Sequence, residues 1–187
     1  MCSFLIFMNF KQQYLRQSQN LCLKYMPLRK TLLLEGPLGS FSYLLNAKLN
    51  YSVKDKKFWL SPRKEANKSH FVLGQVLLAQ CCLGVVQGYR CQLNVVGIGY
   101  SASIEKNKGS DFLVLKLGFS HHVKIIVPDF LQITCPKPRI ILIKGINLQK
   151  VNNFAALIKD LKLPNAYKEK GLYYKGEALK LKQGKKT

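Results

Sequence analysis

Acidic residues are scarce in this chain of 187 residues. Nine Asp and Glu stand against thirty Lys and Arg, which leaves a formal net charge of +21. Such an excess opposes a compact state unless a polyanion neutralises it, and nucleic acid and anionic membrane surfaces are the partners that can do so. Paired acid–base catalysis is disfavoured as well, because the natural candidates Asp111, Asp129 and Asp160 are scattered among loops and helix ends.

The spacings that mark metal sites and disulfide frameworks are also lacking. The six cysteines include no CxxC pair, so we predict reduced thiols that pack as small apolar side chains. His121 and His122 are adjacent and would point to opposite sides of a strand. Gly97-Ile98-Gly99 lacks the third glycine of a dinucleotide-binding fingerprint. We therefore predict no catalytic site, no metal and no cofactor.

Long hydrophobic runs are few. The uncharged residues 71–89 approach the length of a membrane span, but three glutamines and three glycines interrupt them. Val72, Val76, Ala79 and Leu83 recur at three- and four-residue steps, which is the pattern of a helix that buries one face. We therefore predict a buried helix here and no membrane insertion.

Alternating runs and helical stripes predict the remaining secondary structure. In the first half, a turn at Gly36–Gly39 precedes three strand-like runs, and Ser69 is a candidate N-cap for the helix. In the second half, alternation begins at Arg90–Val96 and returns in short runs up to Ile140–Lys144. A helix is then predicted from about Leu148 to Leu161. Its apolar stripe comprises Val151, Phe154, Ala155, Ile158 and Leu161.

Two sheet-then-helix units in series predict an α+β fold of two tandem similar domains, each a small antiparallel β-sheet packed against a helix. Residues 1–30 have no clear period and are predicted to be a basic N-terminal extension. The first α+β domain is predicted to cover residues 31–87, and the second to cover residues 88–164. Residues 165–187 are predicted to form a basic C-terminal tail.

The predicted tail interleaves aromatic rings and cations. Lysines supply phosphate contacts and tyrosines can stack on exposed bases, so this composition suits RNA. Gly171 and Gly176 would let the backbone approach a phosphate closely. A solvated tail without a partner is the alternative that composition leaves open. The rings and cations are Tyr167, Lys168, Lys170, Tyr173, Tyr174, Lys175, Lys180, Lys182, Lys185 and Lys186.

A series of short motifs follows residue 84 in a fixed order. They are Gly84–Tyr89, Leu93–Ala102, the Leu-Gly-Phe-Ser-His turn Leu117–His121, Val127-Pro128, Pro136–Pro138, Ile143–Gln149, Ala155-Ala156, Pro164–Gly171 and Glu177–Lys186. Together they resemble large-subunit ribosomal protein six, the L-six family, across roughly residues 84–187. The first half is less similar: Leu34–Ser40 resembles the family's lysine-glycine-proline-lysine-glycine turn, and the family's N-terminal serine-arginine opening is absent.

The resemblance implies a structural protein that binds large-subunit ribosomal RNA. It places the chain near the RNA helix that carries the sarcin–ricin loop, beside neighbouring ribosomal proteins and close to the docking site of translational GTPases. It implies contacts by Tyr167, Lys168, Lys170, Gly171 and then the basic terminus, with Lys137 and Lys144 as weaker candidates. The resemblance also makes structural glycines of Gly97, Gly99 and Gly118.

The cellular compartment is inferred from divergence. An apolar N-terminus, many cysteines and the missing family opening favour the mitochondrial matrix, with a plastid or the bacterial cytoplasm as alternatives. Two other functions compete with the ribosomal one. The first is an RNA-modifying or RNA-cleaving enzyme, which needs Asp111, Asp129 and His121 to converge. The second is a peripheral membrane protein that uses the apolar residues 1–10 and the basic segment after them.

Overall fold

A computed structural model of the chain describes residues 21–26, 30–44, 49–54, 57–62, 68–107 and 109–183. The chain divides into two compact units, residues 1–88 and residues 89–187. In its described part, each unit combines small antiparallel sheets with one helix, so the fold is α+β, as the sequence predicts.

The described strands of the first unit form a three-stranded sheet and a separate hairpin. The turn predicted at Gly36–Gly39 is confirmed, because the pairing of Gly36 with Gly39 leaves only Pro37 and Leu38 between β2 and β3. The sheet has the order β1-β2-β3, and β4 pairs with β5. The strands are β1 (Cys22–Met26), β2 (Thr31–Gly36), β3 (Gly39–Leu44), β4 (Leu49–Lys54) and β5 (Lys57–Pro62).

Strand β1 lies inside residues 1–30, for which the sequence pattern predicts an N-terminal extension. That assignment is wrong for residues 22–26, which pair with β2 in antiparallel register. Lys24 Nζ also reaches Glu35 of β2 at 2.9 Å. The side chains described in β1 (Cys22, Lys24, Tyr25 and Met26) are all exposed. None of these four described side chains is buried, so they do not impose an alternating hydrophobic pattern.

Helix α1 (Lys68–Val86) packs on β2, β3 and β5. It begins at Lys68, so Ser69 lies inside the helix and is not its N-cap. The buried positions are Gly74, Leu78, Gly84 and Val85. At the end of the helix, a Cβ added to Gly36 would lie 2.6 Å from Val85 Cγ1, so strand and helix are in close contact there.

The apolar stripe predicted for α1 is exposed at Val72 and Val76 and only partly buried at Ala79 and Leu83, so it is not the packed face. Val72 and Val76 are 49% and 46% exposed, and with Leu73 they lie away from the packed face. Two positions along a helix correspond to about 200° of rotation, which is why a stripe that starts at residue 72 opposes one that starts at Gly74. By length and composition alone, Ser69–Val86 could cross a membrane, with 22% of that segment buried; a single such helix is weak support for a span.

The second unit contains a four-stranded and a three-stranded antiparallel sheet among its described residues. Their orders are β10-β11-β6-β12 and β7-β8-β9. The break predicted at Gly97–Tyr100 is confirmed, because one strand ends just before it and the next begins just after it. The elements are β6 (Tyr89–Val96), β7 (Ser101–Asn107), β8 (Ser110–Lys116), β9 (Val123–Ile126), β10 (Leu131–Lys137), β11 (Ile140–Gly145), α2 (Leu148–Asp160) and β12 (Gly171–Tyr174).

Helix α2 covers the four-stranded sheet and contacts β6, β11 and β12. Its N-cap is Asn147, whose Oδ1 accepts the backbone N–H groups of Gln149 at 2.9 Å and Lys150 at 3.4 Å. The predicted stripe is confirmed, because its four members within the helix are the buried ones and Leu161 packs against the same core from just beyond the helix. Residues from both sheets complete this core, including Leu93, Leu113 and Ile141, each 0% exposed.

Strand β12 belongs to the folded unit and not to a detached tail. It pairs with β6 from Gly171↔Val96 to Tyr174↔Leu93. Gly171, Leu172 and Tyr173 are all buried. A tail assignment for these residues is therefore incorrect, because pairing with a strand about 75 residues earlier is a tertiary interaction that local composition does not reveal.

The structural role predicted for the glycines around Tyr100 is confirmed at two positions. A Cβ added to Gly97 would lie 2.6 Å from Tyr100 Cδ2, and one added to Gly118 would lie 2.9 Å from Tyr100 Cε1. The tyrosine ring thus contacts the backbone of two turns, residues 97–100 and residues 117–122. A side chain at either glycine would displace the ring.

Candidate nucleic-acid interface

Residues 164–171, here called the Asn165 loop, are closed by backbone and side-chain hydrogen bonds of one residue, Asn165. The backbone N–H of Asn165 donates to Lys170 O at 2.9 Å, and Asn165 O accepts from Glu169 N at 3.0 Å. Asn165 Oδ1 also accepts from the backbone N–H of Tyr167 at 2.8 Å, which forms an Asx turn. Three hydrogen bonds from one residue therefore close the loop locally.

Gly171 anchors the end of the Asn165 loop. A Cβ at this position would lie 2.7 Å from Pro164 Cα and 2.9 Å from Leu163 O, both of which are backbone atoms that cannot rotate away. Its φ of 150° also favours glycine. Gly171 is buried, so it shapes the loop and does not bring the backbone close to a phosphate.

The Asn165 loop presents a ring and a cation to solvent. Tyr167 is 62% exposed, and Lys168 is exposed beside it. The C-terminal segment, residues 175–183, is attached to the same loop, because the backbone N–H of Lys182 donates to Ala166 O at 3.1 Å. Lys180 and Lys182 are exposed. Loop and segment thus form one basic surface with a stacking ring, the combination that single-stranded or looped RNA requires.

A second set of contacts, here called the Glu177 clasp, fixes the start of the C-terminal segment. Lys159 Nζ of α2 donates to both carboxylate oxygens of Glu177, at 2.7 and 2.9 Å. The backbone N–H of Tyr174 donates to Glu177 Oε2 at 2.9 Å. The same ammonium lies 4.6 Å from the centroid of the Tyr174 ring. Helix α2, β12 and the C-terminal segment are therefore joined at one carboxylate.

The Glu177 clasp predicts an acid-sensitive attachment of the C-terminal segment. The hydrogen bond from Lys159, followed by the one from the Tyr174 amide, lowers the pKa of Glu177 below its ordinary value of 4.5. A carboxyl whose pKa is lowered on folding stabilises the fold above its unfolded pKa, and that stability disappears as the pH falls through the folded-state pKa. We expect a contribution of at most about 1 kcal/mol, since the pair is partly solvated.

The measurement is amide hydrogen exchange at Tyr174 and Glu177 between pH 6 and pH 3. Protection of these two amides from exchange should decrease as the pH is lowered below the ordinary carboxyl pKa of 4.5. Glu177→Gln is the matched control, because it keeps an oxygen acceptor but cannot ionise, and its protection should not follow a carboxyl titration. The same acid-dependent loss in the Gln variant would rule out Glu177 as the titrating group.

The predicted contact residues differ in their exposure to solvent. Tyr173 is only 9% exposed, and burial raises the pKa of its phenol, so its ring cannot serve as an open stacking surface and the prediction of a stacking contact there is corrected. Lys170 is partly buried and Lys175 is exposed. Lys185 and Lys186 lie outside the described residues. Of the weaker candidates, Lys137 is exposed and Lys144 is partly buried.

The residues that an enzyme would need do not converge. Asp111 is the second residue of β8, and its backbone O accepts from Val127 N at 2.8 Å, whereas His121 lies beyond the opposite end of the β8–β9 pairing. At 3.3 Å per residue, these side chains are roughly 15 Å or more apart. No group of three or more potential metal ligands occurs among the described residues. Burial raises the pKa of Cys81 to about 11 and that of Cys82 to about 12, so neither thiol is a ready nucleophile.

Fold and charge together define a basic, two-unit α+β protein that is suited to a polyanionic partner. Residues 96–175 match the family model described as ribosomal protein L6. Over 159 residues the chain is 35% identical to the large ribosomal subunit protein uL6 of Rhodopseudomonas palustris (strain BisB5), which covers 84% of this chain and 88% of the relative. This chain belongs to the ribosomal protein L6 family, whose members are structural components and not enzymes.

Two further relatives show similarity over the same extent. The large ribosomal subunit protein uL6 of Pseudothermotoga lettingae is 32% identical over 162 residues, 82% of this chain and 86% of the relative. That of Alkaliphilus oremlandii is 36% identical over 154 residues, 81% of this chain and 83% of the relative. The similarity therefore extends well beyond the motifs that follow residue 84.

Proposed function

We propose that this chain is a structural constituent of the large ribosomal subunit and that it binds ribosomal RNA through the Asn165 loop and the C-terminal segment. The observation that carries the proposal is the Lys182–Ala166 hydrogen bond, which joins the exposed Tyr167 and Lys168 to the exposed lysines of the C-terminal segment. A folded loop loses less conformational entropy on binding than a free tail does, so this arrangement favours affinity.

The position within the subunit is the finer part of the proposal. By resemblance to its family, the chain binds near the RNA helix that carries the sarcin–ricin loop, beside neighbouring ribosomal proteins and close to translational GTPases. There it braces the RNA and supports subunit assembly and translation, without membrane insertion. The compared relatives are bacterial, which supports the bacterial cytoplasm. The mitochondrial matrix, predicted from sequence divergence, stays a prediction.

The first test is sedimentation of a native lysate through sucrose gradients at low and high magnesium. The chain should migrate with the large subunit and should dissociate in concentrated salt, because phosphate contacts weaken as salt rises. Sedimentation as a free small protein at both magnesium concentrations would refute a ribosomal role.

The residue-level test uses Tyr167→Ala combined with Lys168→Ala. Loss of one stacking ring and one phosphate contact should weaken retention on the subunit about tenfold or more during a salt wash. Removal of residues 167–187 is a poorer test, because it also deletes β12 and therefore part of the core. Retention of the double variant equal to that of the unchanged chain would show that the Asn165 loop does not bind RNA.

A further inference from the structure

The side chains of Lys162, Phe119 and His121 form a cluster beside the Asn165 loop, and none of the three is part of the RNA-binding surface proposed above. Lys162 Nζ lies 4.5 Å from the centroid of the Phe119 ring. The Phe119 and His121 rings are stacked at 6.2 Å between centroids, with 21° between their planes. Phe119 is 42% exposed, and His121 is exposed. We call this cluster the Phe119 platform.

The platform is built from two separate parts of the second unit. Phe119 and His121 belong to the turn 117–122 between β8 and β9. The Tyr100 ring packs against the backbone of this turn at Gly118. Lys162 follows α2, and its backbone O accepts from Leu172 N at 3.0 Å, so it is fixed at the base of the Asn165 loop. The platform therefore adjoins the proposed RNA-binding surface and has a fixed geometry.

The charges around the platform favour a nucleotide over a protein partner. The turn 117–122 contains no acidic residue, and no carboxylate among the described residues pairs with Lys162. An ammonium beside two exposed rings offers one contact for a phosphate and one face for a base. An unpaired nucleotide of RNA carries both groups on one unit.

We propose that the Phe119 platform is a second RNA-binding element, which stacks the base of one unpaired nucleotide and contacts its phosphate through Lys162. This inference rests on the proposed function, because it extends the same RNA-binding surface. The platform supplies a contact that depends on an aromatic ring, whereas the C-terminal segment supplies contacts that depend on charge.

The chain contains a matched control for this inference. Lys150 Nζ lies 4.1 Å from the centroid of Phe130, which is 52% exposed, so the chemistry and exposure are similar. Lys150 is near the start of α2, whereas Lys162 follows its end. Twelve residues separate the two lysines, which corresponds to about 18 Å along a helix. The Phe130 pair therefore lies away from the Asn165 loop.

The test measures binding of the full chain to a transcribed fragment of large-subunit ribosomal RNA that contains the sarcin–ricin helix and its neighbouring helix. Phe119→Leu should weaken binding on the order of tenfold, because it keeps apolar volume but removes the ring. Phe119→Tyr should bind within about twofold of the unchanged chain. Phe130→Leu should have no effect. Circular dichroism melting curves establish that each variant is folded, and Lys162→Met provides a second loss-of-contact variant with its aliphatic stem retained.

The outcomes separate this inference from the proposed function. If Phe119→Leu and Lys162→Met bind normally while Lys168→Ala binds weakly, the platform is rejected and the proposed RNA-binding surface stands. Equal weakening by Phe119→Leu and Phe130→Leu would also reject it, because the effect would then not be local. Failure of the unchanged chain to bind the RNA fragment would refute both proposals.

Discussion

Leu172→Ala is expected to lower the free energy of unfolding of the second unit by about 3 kcal/mol, within the range found for truncating buried leucines. Leu172 is 0% exposed and belongs to the core that also contains Ile158 of α2 and Leu93 of β6. The substitution removes three heavy atoms from a site where strand, helix and sheet meet. Packed neighbours relax only partly into such a space, so a cavity term adds to the lost burial.

Amide hydrogen exchange on β6 and β12 is the suitable measurement. The single tryptophan, Trp59, belongs to the first unit, so its fluorescence would not report directly on the second. Leu181→Ala is the matched control, because Leu181 lies in the same predicted tail but is 52% exposed. It should change the unfolding free energy by less than about 0.5 kcal/mol. Similarly small effects of both substitutions would mean that β12 is not part of the folded sheet.

The sequence predicted best where a local pattern coincides with burial on one face. Helix α2 is the clearest case, because its apolar stripe recurs at helical spacing, Asn147 caps its start and the stripe is buried. The break at Gly97–Tyr100 was equally predictable, since glycines end an alternating run. In both places, propensity and tertiary packing select the same structure.

Local patterns failed where the determining contact is distant or where every face is apolar. Strands β1 and β12 depend on pairing with β2 and β6, and neither carries a clear alternation of its own. Helix α1 is uncharged from Ser69 to Val86, so periodicity alone could not select its buried face. Small residues lie on the face that is buried: Gly74 and Gly84 are buried in the helix, and Gly36 lies against Val85.

The candidate interface was predicted only in part. Tyr167 and Lys168 were indicated by the composition of the tail and by family resemblance, and both are exposed. Sequence reasoning missed Asn165, which closes the loop that carries them, and Glu177, which fixes the start of the C-terminal segment. A signal existed for Asn165, because an asparagine after a proline commonly begins a turn. No local signal identifies Glu177, since its partner Lys159 lies on a helix 18 residues earlier.

Replacement of Lys168, Lys175, Lys180 and Lys182 by alanine is expected to reduce the salt dependence of RNA binding strongly. All four are exposed; Lys168 lies on the Asn165 loop, and the other three lie on the C-terminal segment attached to it. If each contacts one phosphate, the slope of log K against log salt should become less negative by about 3 to 4. Because affinities converge towards 1 M salt, the loss at 0.15 M should be about a thousandfold.

The measurement is a binding titration with the same RNA fragment at several salt concentrations. A control variant should remove the same charge elsewhere in the second unit, by alanine at Lys106, Lys124, Arg139 and Lys150. If net charge alone governed binding, both variants would lose affinity equally, since a charge change of four acts on the whole field of the protein. If the basic surface makes direct phosphate contacts, the slope of log K against log salt becomes less negative only in the variant that lacks the lysines of that surface. The reason is that counterions are released where a lysine contacts a phosphate. Equal slopes for the two variants would therefore exclude a localised RNA-binding surface on the Asn165 loop and the C-terminal segment.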